Sequence, residues 1–362
     1  MRVCRQLSGA GVPVHCTVRP DRRHVCICRQ LRAVSAVQHR GGAPLSEDDG
    51  MSLLERPSGR ARWPLVSVLI PAFNHARFVQ RCLDSVLEDP YPSKEIVIID
   101  DGSSDDTGEQ IAAWIALHGH RVPVQFVQRS NRGVAATLNE LALRARGEYL
   151  RICASDDYLL PGGLHVQVDY LVRHRNKAAV IGDAIVIDGD GATLHASAMS
   201  GLHGVSRGPY ASDDGIRREI ICRWAVSGAV LLLRRSTFAA GLRWNESLRI
   251  EDWDFYLRLV SKDLLAFIDV PVCAYRLHGA NASKTRDPGK RLSNLTEFLE
   301  VASASRHIFG RRDQRFILAQ SSLISSKIHF IEKRYLQASG FLVLYLTRSV
   351  LAKAGWDRMV SS

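Results

Sequence analysis

Glu95-Ile96-Val97-Ile98-Ile99-Asp100-Asp101-Gly102-Ser103-Ser104-Asp105-Asp106-Thr107 is the stretch whose reading decides the fold. An apolar run dense in β-branched residues stops at two carboxylates, a glycine and two hydroxyls. Such a run, without polar alternation, reads as a strand buried on both faces of a parallel sheet. Its end opens into a polar loop, and in open α/β sheets ligands sit just beyond such strand ends. Asp105 or Asp106 can cap a helix that begins near Thr107 and runs through Ile111, Ala112, Ile115 and Ala116.

The same alternation extends to both sides. Upstream, Val66-Ser67-Val68-Leu69-Ile70 is a strand ending at Pro71-Ala72-Phe73-Asn74. A helix follows with Phe78, Cys82, Leu83, Val86 and Leu87 at helical spacing, closed by Pro90 and Pro92. Downstream, Val124-Gln125-Phe126-Val127 is a third strand, Asn131-Arg132-Gly133 a turn, and Val134 to Ala145 a helix. Gly147 is expected to cap that helix. Tyr149-Leu150-Arg151-Ile152-Cys153 is a further strand that again ends in acids, Ser155-Asp156-Asp157, before a helix opened by Pro161-Gly162-Gly163. Strand and helix alternate throughout, so a doubly wound, mostly parallel α/β sheet flanked by helices is expected. Carboxylates gathered at one sheet edge repel unless something positive lies between them, and a divalent cation is the economical answer.

Further on, Ala179 to Asp188 is a strand whose turn, Asp188-Gly189-Asp190-Gly191, resembles a calcium loop only superficially and reads as a hairpin. Residues 196–220 are polar and Gly-rich, and a mobile loop is expected there. Ala229 to Leu233 is a strand, Glu251-Asp252-Trp253-Asp254 opens a helix, and Leu265 to Val270 is a strand that ends before Pro271. From about Leu292 the pattern is helical. Phe341 to Leu346 is apolar and short; core packing is the expected role, with the membrane interface as the alternative.

Charge is unevenly spread over the net +11. Residues 1–62 hold 11 Arg and 5 acids, for +6; residues 301–362 hold 10 Lys and Arg and 3 acids, for +7; the middle comes to −2. The body therefore lacks a basic groove, so no nucleic-acid partner is expected, whereas the ends suit an anionic membrane surface. No stretch approaches the roughly 20 apolar residues of a membrane span, and the N-terminus lacks the apolar core of a signal peptide. The cysteines show no metal-ligand pairing, which fits free thiols in a reducing, cytoplasmic setting, peripheral at most on the inner face of a membrane. Three regions are expected. Residues 1–62 form a disordered extension, or one that precedes a natural start at Met51; residues 63–290 form the catalytic domain; residues 291–362 form a helical extension.

Six segments in this order resemble family 2 of the inverting glycosyltransferases, which have the GT-A fold. They are Val66 to Asn74, Asp100 to Asp105, Asn131-Arg132-Gly133, Ser155-Asp156-Asp157 with Pro161, Glu251 to Asp254, and Tyr275-Arg276-Leu277-His278. The resemblance covers roughly residues 64–285 and implies transfer of a sugar from a nucleotide-diphosphate donor to a glycan or lipid-linked acceptor in surface polysaccharide biosynthesis. It implies that Pro71, Ala72, Asn74, Asp100, Asp101, Asn131, Arg132, Gly133 and Asp156 bind the nucleotide sugar. It further implies that Asp156, Asp157 and His278 serve a Mn2+ or Mg2+ ion, which offsets charge on the leaving group. Asp252 would be the general base, with Glu251 or Asp254 as fallback, since inversion needs one base opposite the departing diphosphate. The family commonly has another acid two residues before Asp156, where this chain has Ala154. A nucleotidyltransferase is the rival enzyme, but Pro71-Ala72-Phe73-Asn74-His75 lacks the Gly-rich triphosphate loop it needs. A catalytically silent sugar-nucleotide-binding or scaffolding protein is the rival from another class, favoured by Ala154 and opposed by the presence of Asp156, Asp157 and Asp252 together.

Overall fold

A computed structural model describes residues 62–225, 228–279 and 287–360, with side chains through 353. The expected N-terminal extension lies outside the described residues. The chain winds β1 (Val66–Ala72), α1 (Val79–Glu88), β2 (Lys94–Asp100), α2 (Thr107–His118), β3 (Val124–Gln128), α3 (Val134–Arg144) and β4 (Tyr149–Ile152) in the expected alternation. These strands pair in parallel in the order β3-β2-β1-β4, with Leu69 of β1 opposite Val97 and Ile152 on its two sides.

The rest of the sheet is mixed. After β5 (Tyr158–Leu159) and α4 (Gly163–Arg173) come β6 (Ala179–Ile187), β7 (Thr193–His195), α5 (Asp213–Cys222), β8 (Leu231–Arg234), α6 (Arg235–Ala239), α7 (Glu251–Val260) and β9 (Leu265–Arg276). Beyond β4 the order is β8-β6-β9-β5, with β7 hairpinned onto β6. β8 is antiparallel to both β4 and β6, so β6 and β9 run in the same direction as β1 to β4. The carboxyl ends of β1, β2, β4 and β9 therefore emerge at one edge, where α/β sheets bind ligands.

Alternate residues of each strand feed two cores. Leu69, Val97, Ile99, Leu150 and Ile152 pack with α3, α5 and α7 on one face. Val68, Ile70, Ile96, Ile98 and Tyr149 pack with α1, α2 and α4 on the other. That is why the Ile96–Ile99 run has no polar alternation: both of its sides are covered.

Four expectations need revision. Residues 196–220 are not a loop. They include one π-turn (Ala198–Leu202) and the start of α5, whose N-cap Ser212 accepts the Gly215 N–H and whose Ile216, Ile220 and Ile221 enter the core. Pro271 does not end the last strand, because a bulge opposite Asp183 lets β9 run on to Arg276. Gly147 is not a helix cap, since α3 ends at Arg144. Gly147 instead presses its backbone against β1, and a Cβ there would lie 2.6 Å from the Ser67 nitrogen. The Phe341–Leu346 segment does not join the core. It lies in α10 (Tyr335–Val360), the outer partner of α9 (Arg311–Ile331), and Leu342, Val343, Leu344 and Leu346 are exposed because α9 covers only one side. Inward of these, α8 (Pro288–Ser305) packs on α7 and α9. Among the described residues no helix is long and apolar enough to cross a membrane.

Candidate active site

Two strand-end loops form one wall of the site, and side chains staple them together. Asn74, held at φ 54°, accepts the Ser104 N–H (2.8 Å) on Oδ1, while its own N–H donates to Ser103 Oγ (2.9 Å). His75 N–H donates to Thr107 Oγ1 (2.8 Å), and Ala76 N–H to Asp105 Oδ2 (3.1 Å). Asp105, rather than Asp106, also accepts the Thr107 N–H (3.1 Å) at the start of α2.

The acidic pair beginning this loop is spent on shaping it. Asp100 is fully buried and accepts Ser103 N–H (3.0 Å) and Gln128 Nε2–H (3.1 Å). Asp101 accepts Arg132 N–H and Gly133 N–H (2.9 Å each) and is ion-paired with Arg129. Ala72 lies in the core, and its carbonyl accepts Asp101 N–H (2.8 Å). These three residues are hydrogen-bonded within the loops they end, beside the positions expected to contact the donor. Asn74, Asn131, Arg132 and Gly133 are exposed beside them and Pro71 is half-buried.

Across from this wall stands a compact cluster. The Nε2 atom of His278 lies 2.9 Å from Asp156 Oδ2, and that of His75 lies 3.7 Å from the same oxygen. One ligand atom from each of the three residues falls within 4.8 Å of the others. The Phe78 ring flanks both imidazoles, at 5.0 Å from His278 and 6.2 Å from His75. Burial pushes the His75 imidazole below its ordinary value and favours the neutral ring. Burial works to raise Asp156, but the His278 hydrogen bond and the His75 charge outweigh it and hold the carboxyl below its usual range. Two imidazoles and a carboxylate suit a divalent transition ion. Asp157 does not share the cluster. It is buried, its Oδ1 accepts Arg276 N–H (2.8 Å), and burial followed by the Asp156 charge pushes it well above the carboxylate range. That hydrogen bond holds it to the end of β9, two residues before His278. A cleft of about 400 Å³ lined by Phe78, Arg77, Arg81, Tyr158 and Arg276 adjoins the cluster.

Asp252 sits in the first turn of α7, which packs on β9. Its Oδ1 accepts its neighbour's Trp253 N–H (2.9 Å), and burial pushes its pKa up to about 7. A carboxyl near neutrality is well matched to general-base work. The fallbacks fit less well. Asp254 is ion-paired with Arg258 at 2.7 Å, and Glu251 is buried and pushed well above its range by burial and then by the Asp252 charge.

Arg151 of β4 is fully buried. Its guanidinium donates to the Ile152 and Ala229 carbonyls and to that of Val272 (3.4 Å), tying β4 and β9 to the segment before β8. The sequence reading missed His75 and Arg151, and also Glu297 of α8, whose carboxylate accepts the Ile250 N–H ahead of Asp252. An arginine inside an otherwise apolar strand was the available signal for Arg151. Nothing local marks the other two.

Residues 67–237 match the family model described as Glycosyl transferase family 2. Chondroitin synthase of Escherichia coli is 30% identical over 224 residues, which are 61% of this chain and 30% of that protein. Hyaluronan synthase of Pasteurella multocida is 34% identical over 133 residues, 37% of this chain and 13% of that protein. The chain thus spans less than a third of either relative. A solved mannosyltransferase from Pyrobaculum calidifontis, in complex with GDP-Man and Mn2+, has the same fold, with TM-score 0.54 at 17% identity over 84% of this chain and 82% of that one.

Proposed function

We propose, from the match of residues 67–237 to the model described as Glycosyl transferase family 2 and from the fold shared with a solved mannosyltransferase, that this chain is an inverting glycosyltransferase. It moves a sugar from a nucleotide-diphosphate donor to a glycan or lipid-linked acceptor, in surface polysaccharide biosynthesis. The observation that carries this reading is the meeting of Asp156, His75 and His278 at the sheet edge where the stapled loops end. In this reading the exposed Asn74, Asn131, Arg132 and Gly133, with Pro71, line the donor pocket. Asp100, Asp101 and Ala72 hold that pocket's shape. Asp156 and His278 would hold a divalent cation, which when bound offsets charge on the diphosphate leaving group. Asp252 takes the proton of the acceptor hydroxyl, and its pKa near 7 leaves it largely ionised at mildly alkaline pH.

The likeness of relatives named for glycosaminoglycan synthesis supports a glycan acceptor. The exposed apolar side chains of α10, on a C-terminal segment carrying +7, support peripheral contact with the inner face of a membrane. The direct test is a thermal-shift and transfer panel of UDP-, GDP- and dTDP-sugars with and without Mn2+. Stabilisation by one nucleotide class, with turnover, is expected. A protein that no donor stabilises and that transfers nothing would remove the reading.

A further inference from the structure

We propose that His75 is a metal ligand, and that with Asp156 and His278 it forms a two-imidazole, one-carboxylate site that favours a transition ion over Mg2+. The proposal deepens the metal reading above and rests on it.

Three observations carry it. First, both Nε2 atoms address one oxygen, Asp156 Oδ2, at 2.9 and 3.7 Å. An ion with bonds of about 2.0–2.2 Å has neighbouring donors roughly 3–3.6 Å apart, so the trio needs only a small closure to wrap one. Second, His75 is oriented for the task. Its Nδ1 lies 2.8 Å from Ser155 Oγ, and an Nδ1–H donated there leaves the Nε2 lone pair facing the cluster. Its backbone is pinned by Thr107 Oγ1, so the ring does not depend on a free loop. Third, oxygen donors are scarce. Position 154 is alanine, and the Asp157 carboxylate is engaged by Arg276 N–H. Mg2+ demands a near-octahedral shell of oxygens, whereas imidazole suits first-row transition ions such as Fe2+, Ni2+ or Zn2+, and affinity for nitrogen donors rises from Mn2+ onward.

The test uses pulsed electron paramagnetic resonance of Mn2+ added to the full chain, with and without UDP or GDP. Two imidazole nitrogen couplings are expected in the unmutated protein and one in His75→Asn, whose side-chain amide can still donate to Ser155. Mn2+ affinity should fall about 10-fold or more in that variant, and a hundredfold excess of Mg2+ should leave the Mn2+ signal in place. Melting curves confirm that the variant is folded, and His75→Gln serves as a second variant. A single nitrogen coupling in the unmutated protein, lost in His278→Ala, overturns the role of His75 while leaving the metal reading intact. Full displacement by Mg2+ overturns the selectivity. Failure to bind Mn2+ under every nucleotide condition overturns both.

Discussion

Glu297 of α8 accepts the backbone N–H of Ile250 at 3.0 Å, two residues ahead of Asp252, and also receives the Arg249 N–H. Ile250 offers no side-chain cap to α7, so a carboxylate from the C-terminal helices satisfies the open end of the helix that carries Asp252, the proposed base. Glu297→Ala should therefore lower kcat with little change in donor KM, and cost about 1–3 kcal/mol of stability. Gln, which keeps an acceptor, should fall between the two. Steady-state kinetics and melting curves read this out. An alanine variant of normal kcat would detach α8 from the chemistry.

Asp252→Asn should reduce transfer by roughly 10²–10⁴-fold while donor binding, measured by calorimetry, stays nearly intact. In the unmutated protein kcat should rise with pH through about 7 and level off above it, because the protonated carboxyl cannot take the acceptor proton. A flat profile between pH 5.5 and 8.5 would point to another base.

The same substitution has a stability signature of known sign. Burial raises the folded-state pKa of Asp252 above its unfolded value, so the native protein binds the extra proton between the two. Stability from this group is full below the unfolded pKa and is lost as pH rises through about 7. Asp252→Asn should thus gain in melting temperature relative to the parent at pH 8 and gain less at pH 5. Equal differences at both values would show that the carboxyl is not desolvated in the native state.

Arg151→Met keeps the volume and deletes the donors. The Ile152 and Ala229 carbonyls would lose a buried partner, and unsatisfied buried groups cost about 1–3 kcal/mol each. A loss of about 2–4 kcal/mol in denaturant melts is expected. A variant as stable as the parent would mean that those carbonyls find other donors.

If α10 lies on a membrane, placing carboxylates on its exposed apolar face should release the protein. Leu346→Glu with Val350→Glu should abolish co-sedimentation with vesicles containing anionic lipid, and high salt should weaken binding of the parent. Undiminished sedimentation of the double variant would exclude this helix as the contact.

The first half of the fold was readable because β1 to β4 carry long β-branched or aromatic runs, and each ends in a polar or acidic turn. The helix at Asp213–Cys222 was readable too, from Ser212 followed by Ile216, Ile220 and Ile221, but the surrounding glycines obscured it. Asp156 and His278 stood out by their setting and do meet. His75 did not stand out, since its meaning depends on β1, β4 and β9 ending together, a property of the sheet and not of any one segment. The partners of Asp101, the Arg132 and Gly133 N–H groups, were hidden for a related reason: they lie 31 and 32 residues away and are brought to it by the pairing of β2 with β3.

The bonds joining Asn74 to Ser103 and Ser104 also bear on recombination between relatives. Two turns that lie a whole βαβ unit apart along the chain are bonded side chain to backbone in both directions, so neither has an independent shape. A chimera that imports one turn alone would bring together halves that do not match. Only donors of both turns at once can pass on a working specificity, which makes this pair, and not either motif, the unit that engineering has to exchange.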